Sequence, residues 1–164
     1  MAPARFLTDD SLDGLARRLR FLGFDVATLR GARLEDLFEG ARHEGRIVLT
    51  MSSRHPRRFA DVASLRVPRE DDAAAVRGIA DEYQPSGAPF SRCPVCNHAL
   101  QRRTAFEARG EVPARAAQGA QFLHHCPNCG KWYWEGSHTS RMREWLERAL
   151  GRPLPPSGSA AVRE

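Results

Sequence analysis

All four cysteines of the chain fall in two like pairs, Cys93-Pro94-Val95-Cys96 and Cys126-Pro127-Asn128-Cys129. A Cys-x-x-Cys turn aims two thiolates at one point, and two such turns complete a tetrahedron around Zn²⁺. Four thiolates close the coordination shell, so the metal expected on Cys93, Cys96, Cys126 and Cys129 is structural. It stands in for a core that so small a module cannot build. The 29 residues between the pairs exceed the usual ribbon gap, so a β-hairpin with an inserted loop is expected there. Two disulfides or a redox dithiol are the competing readings. A reducing compartment disfavours the first, and a redox pair needs no matching second pair. His124 and His125 precede Cys126 and are read as strand residues.

The front of the chain carries a different pattern. Arg5-Phe6-Leu7-Thr8 reads as a strand. Asp9, Asp10 and Ser11 then supply cap chemistry to a helix whose apolar stripe is Leu12, Leu15, Ala16, Leu19 and Leu22, with Gly23 ending it. Phe24-Asp25-Val26 reads as a second strand. Leu34, Leu37, Phe38 and Ala41 mark a second helix ending near Gly45. Ile47-Val48-Leu49 suits a strand buried on both faces. Ser64-Leu65-Arg66-Val67 and a helix opened by Asp71 and Asp72 follow. Such alternation predicts a mostly parallel α/β sheet. Its functional crevice is expected beyond the carboxyl ends of the strands, near which this reading sets Asp9, Asp25 and Ser52.

Composition divides at the same place. Residues 1–90 hold 14 Arg and 14 acids, whereas residues 91–164 hold 11 cations and 6 acids, so the rear half carries the entire net charge of +5. A basic module suits a polyanion such as RNA. Of the 25 cations, 24 are arginines. Arginine suits forked phosphate contacts, although a GC-rich genome gives the same bias. There is no apolar run of membrane-spanning length. The opening residues soon meet Asp9 and Asp10, which interrupts any secretory core. A soluble cytoplasmic protein is therefore expected.

Asp9, Asp25, Glu35 and Asp36 are the candidate acids. Clustered carboxylates can hold Mg²⁺ or Mn²⁺ and orient water for attack on a phosphodiester. The same residues are what helix N-termini favour, and on spacing alone capping is the stronger reading. The two roles are compatible. Arg17, Arg20, Arg54, Arg57 and Arg58 are the candidate phosphate-binding rim, each alone being an ordinary solvated charge. Lys131-Trp132-Tyr133-Trp134 reads as a strand, with Trp134 the candidate base-stacking residue. Core packing is expected of at least one Trp. His138 reads as a local cap of the last helix, Thr139 to Leu150.

These residues resemble the Mut7-C family. The likeness runs through Phe6-Leu7-Thr8-Asp9, Leu15-Ala16-Arg17, Leu19-Arg20 and Leu22-Gly23-Phe24-Asp25, then Gly45-Arg46-Ile47-Val48-Leu49-Thr50. It continues in Cys93-Pro94-Val95-Cys96-Asn97, Cys126-Pro127-Asn128-Cys129-Gly130-Lys131 and Tyr133-Trp134-Glu135-Gly136. The resemblance implies a PIN-like α/β domain with a mostly parallel sheet and flanking helices, fused to a small C-terminal zinc ribbon. It implies metal-dependent ribonuclease activity, with Asp9 and Asp25 matching acidic positions. Two positions depart from the family pattern. Ser52 stands where Thr-Arg-Asp would put an acid, and Leu34 where the second helix would begin with Asp. The expected organisation is an α/β domain over 1–83, a linker over 84–91, a zinc ribbon with closing helix over 92–150, and a disordered tail over 151–164. The expected function is a ribonuclease weakened at those two positions. The alternative is a non-catalytic RNA-binding or adaptor protein on the same scaffold, which leaves room for protein partners.

Overall fold

The computed structural model describes residues 2–120 and 122–156. Four short parallel strands form the main sheet: β1 (Arg5–Thr8), β2 (Asp25–Thr28), β3 (Ile47–Thr50) and β4 (Ser64–Arg66), in the order β2-β1-β3-β4. Successive side chains point to opposite faces. Phe6, Val26 and Leu49 thus enter one core, while Leu7 and Val48 enter another.

Helices α1 (Asp13–Phe21) and α3 (Asp72–Glu82) cover the first face, and α2 (Leu34–Glu44) with the turn Arg57–Phe59 covers the second. This division follows from strand order. The chain leaves β1 toward one edge, then returns across it to β3, and right-handed crossovers put such helices on opposite faces. The direction reverses between β1 and β3, so the topological switch point lies at their carboxyl ends.

The rear module has its own antiparallel sheet, β5 (Gln101–Thr104), β6 (Phe122–His125) and β7 (Trp132–Tyr133). The expected hairpin with an insertion is present, and the insertion carries the short helix α4 (Ala114–Gly119). His124 and His125 are strand residues of β6, and the His125 ring lies against Trp132.

The modules are not strung on a loose connection. Phe90 N–H donates to the Phe21 carbonyl and Gly87 N–H to the Gly23 carbonyl. Gly23 has φ +93°, and a Cβ there would lie 2.1 Å from the Gly87 oxygen. That close approach is open only to glycine. The closing helix α5 (Ser137–Leu150) packs on α3, and its Leu146 is buried in the α/β core. The helix grouped with the ribbon by sequence order thus completes the front core. Residues 151–156 fold back on it: Leu154 N–H donates to Glu147, and Arg143 donates to the carbonyls of Leu154 and Pro155. Only 157–164 of the expected tail lies outside the described residues. Among the described residues, no helix is long and apolar enough to cross a membrane.

Candidate functional site

The switch point lies beyond Thr8 of β1 and Thr50 of β3. Asp9 leaves β1 there and caps the turn Asp10–Leu12, its carboxylate accepting from the backbone N–H and hydroxyl of Ser11. Ser52 follows β3. Its N–H donates to the Thr50 hydroxyl, and its own hydroxyl accepts from the Arg54 N–H. Asp10 turns to the neighbouring loop, where the Gly31 N–H and the Arg30 guanidinium hold its carboxyl below the usual carboxylate range. Asp13 pairs with Arg17 and Arg30.

Asp25 does not join this group. It opens β2 and pairs in register with Arg5, the first residue of β1, whereas Asp9 follows the last. A four-residue strand, about 13 Å at ~3.3 Å per residue, separates the two edges. The strand starts one residue later than Phe24-Asp25-Val26 suggests, because the chain is still turning out of α1 through Gly23. At the amino edge Asp25 is 13% exposed and meets three arginines, Arg46 at 2.7 Å, Arg5 at 3.5 Å and Arg92 at 3.7 Å. Asn97 Nδ2 donates to it at 2.7 Å. Burial pushes its pKa up, but the hydrogen bonds from Arg46 and Asn97 and the charges of Arg46 and Arg92 outweigh burial, so the carboxyl lies below its ordinary value.

The other acids serve α2. Asp36 accepts from the Arg33 N–H and Nε, and those bonds hold its pKa down. Leu34 opens the helix, with the exposed Glu35 beside it, 3.9 Å from both Arg54 and Arg58.

Of the five rim arginines, Arg20 is misplaced by the sequence reading. It is 1% exposed. Its guanidinium donates to the carbonyls of Val26, Pro94 and Val95 and to the Thr28 hydroxyl. Burial draws its pKa below the usual arginine value. Arg20 therefore ties α1, β2 and the first cysteine turn together and cannot reach a phosphate. Arg17, Arg54, Arg57 and Arg58 are exposed, the Arg54 side chain to 70%. Arg30 was not singled out, yet its bond to Asp10 sets it at the crevice; an arginine just past a strand is the signal that could have found it.

The cysteine constellation converges as expected. The four Sγ atoms lie within 4.8 Å of one another, with Cys93–Cys129 at 3.7 Å and Cys96–Cys126 at 3.4 Å. Each turn closes in the same way: the Cys93 N–H donates to the His98 carbonyl and the Cys126 N–H to Lys131. The residue after each pair, Asn97 or Gly130, has positive φ, which Asn and Gly adopt most readily. Burial raises the Cys96 thiol, but hydrogen bonds from the His98 backbone and the Asn128 side chain help draw it down to about 6. Four converging thiols fit Zn²⁺.

Among the described residues, these cysteines are the one group of three or more His, Cys, Asp or Glu with ligand atoms that close together. A hard divalent cation needs several anionic oxygens. At the crevice Asp9 stands without Asp25, Ser52 brings no charge, and Asp10 and Asp13 are engaged by arginines. This donor set does not fit Mg²⁺ or Mn²⁺. Trp134 is half-buried and lines a cavity shared by the rear module and the end of α1. His138 is exposed in the first turn of α5, where Gly136 occupies the cap position.

A comparison with family profiles matches the Mut7-C RNAse domain over residues 4–146. The chain belongs to the Mut7-C RNase family. Membership suggests a ribonuclease-type function and interaction with RNA, and the match spans sheet, cysteine turns and most of α5 in one stretch. No curated protein and no solved structure matches this Mut7-C chain.

Proposed function

We propose that this Mut7-C chain is an RNA-binding protein on a ribonuclease scaffold whose carboxyl-edge crevice grips the RNA backbone without assembling a divalent-metal centre. One observation carries the reading: of the acids expected at the switch point, Asp9 arrives there and Asp25 lies at the opposite edge of the sheet. Ser52 holds the position after β3, where family resemblance expects an acid. Phosphate recognition needs positive charge instead; Arg30 pairs with Asp10, next to Asp9, and Arg54 follows Ser52, its exposed guanidinium 3.9 Å from Glu35. Arg57 and Arg58 extend this positive surface past β3.

A second reading is cleavage by a reduced acid set, favoured by Asp9 at the end of β1. Labelled single-stranded RNA, incubated with the zinc-loaded protein with and without Mn²⁺, separates the two. Expected is binding that weakens steeply with salt, weakens further on Arg54→Glu, and leaves the RNA intact. Mn²⁺-dependent cleavage that disappears in Asp9→Asn would establish the second reading in place of the first. RNA that fails to bind at low ionic strength defeats both. The scaffold argument adds a gain of function. Ser52→Asp puts a second carboxylate at the switch point, so it should raise Mn²⁺ affinity above that of the parent, measured by Mn²⁺ titration.

A further inference from the structure

A cavity of about 300 Å³ lies at the other end of α1 from Asp9. The helix returns from the carboxyl edge of the sheet, so its last residue, Phe21, stands near the amino edge, and β2 begins there at Asp25. Phe21 and Phe90 form one wall, meeting edge to face with centroids 5.4 Å apart. Phe122, Tyr133 and Trp134 of the ribbon form the other. Tyr133 is fixed by its hydroxyl, 3.1 Å from Cys93 Sγ. The cysteine centre therefore sets the cavity's shape.

Its polar lining is cationic. Arg92 and Arg102 both border it, against a single acid, Glu135. Arg92 is engaged with Asp25, whereas Arg102 is exposed and its guanidinium carbon sits over the Phe122 ring, 3.6 Å from the centroid. Flat aromatic walls with an arginine at the rim are the chemistry that holds an unpaired base and its phosphate. The volume sits at the low end of ligand pockets, ~300–1,000 Å³, which suits one nucleotide.

We propose that this cavity captures a single unpaired nucleotide of an RNA strand, its base among the aromatic walls and its phosphate on Arg102. The proposal rests on the RNA-binding reading above, but at a site apart from the Asp9 crevice. The zinc-loaded full-length protein is titrated with adenosine monophosphate, uridine monophosphate and ribose 5-phosphate, following the indole N–H resonance of Trp134. Both nucleotides should shift it and ribose 5-phosphate should not. Arg102→Glu, on an exposed edge strand and followed by the same resonance, and Trp134→Leu, followed by titration calorimetry, should each weaken nucleotide binding at least about fivefold, the low end of base stacking. Unchanged zinc content and circular dichroism would show both variants folded. A Trp134 signal indifferent to nucleotides overturns the proposal, as does ribose 5-phosphate binding equally well, which would mark a mere anion site. RNA binding that Arg54→Glu abolishes while nucleotides leave Trp134 untouched sinks the cavity and spares the crevice. Nucleotide capture with no binding of longer RNA sinks the crevice and overturns this proposal too, since the cavity would then take free nucleotides and not a strand.

Discussion

Two residues that resemble functional groups in the sequence, Arg20 and Asp25, are the polar joints of the fold. A buried guanidinium is tolerated only when its donors are satisfied, and Arg20 spends them on two carbonyls of the first cysteine turn, one carbonyl of β2 and a hydroxyl. Arg20→Ala leaves those acceptors unpaired and opens a hole, so it should cost about 3 kcal/mol or more in urea unfolding. Arg17→Ala, three positions earlier and exposed, should leave stability unchanged. Asp25 acts by charge. Arg46 is more buried than Asp25, and without it keeps only the half-exposed Glu44 carboxylate and the Phe6 carbonyl, so Asp25→Ala should cost about 3 kcal/mol. The pH dependence has a definite sign. The folded-state pKa of Asp25 is depressed, so its stabilisation is full above the unfolded value near ~3.9. It fades as pH falls through the folded value. Acid titration of the Asp25→Asn variant should therefore lack part of the parent's stability loss below about pH 4.

At the scale of elements, the periodicities were legible and the neighbours were not. Leu12, Leu15, Ala16 and Leu19 recur at helical spacing, and every one is buried on the expected face. Ile47-Val48-Leu49 reads as a strand covered on both sides, and it is one. Local pattern is decided within a turn or two of chain, so it survives in the sequence. The edge on which Asp25 falls turns on where one strand begins after Gly23, and boundaries are what pattern locates least well. The packing of α5 was invisible for another reason. Met142, Trp145, Leu146 and Ala149 announce an amphipathic helix, but any apolar surface would satisfy them. Only the fold shows Trp145 stacked under Arg18 of α1 and Leu146 inside the front core. Leu146→Ala should thus cost about 2–5 kcal/mol, as a core truncation does. The loss should appear in the α/β sheet as well as the ribbon, read by amide exchange in β1 and β3. An α5 belonging to the ribbon alone would leave those strands protected.

Across the whole molecule, the cysteine module is the cover for an open edge of the sheet. β2 is an edge strand, and an unpaired edge is open to aggregation unless something blunts it. Here the ribbon does so. Asn97, held at positive φ by the first cysteine turn, accepts from the Val26 N–H through Oδ1 at 3.0 Å and donates to Asp25. Arg20 links the Val26 carbonyl to Pro94 and Val95. Both edge groups of Val26 are therefore satisfied through a loop whose shape depends on four thiolates converging. Binding free energy at a structural zinc site is folding free energy, and here it should reach residues that touch no cysteine. Withdrawal of zinc by a chelator under reducing conditions should release the Val26 amide to exchange at the same time as the ribbon amides, while Leu7 and Val48 in the central strands exchange later. In a chain of two independent lobes, Val26 would keep its protection after the metal had gone. That result would mean the edge is held by Arg20 and Asp25 alone, and that the cysteine turns merely rest against it.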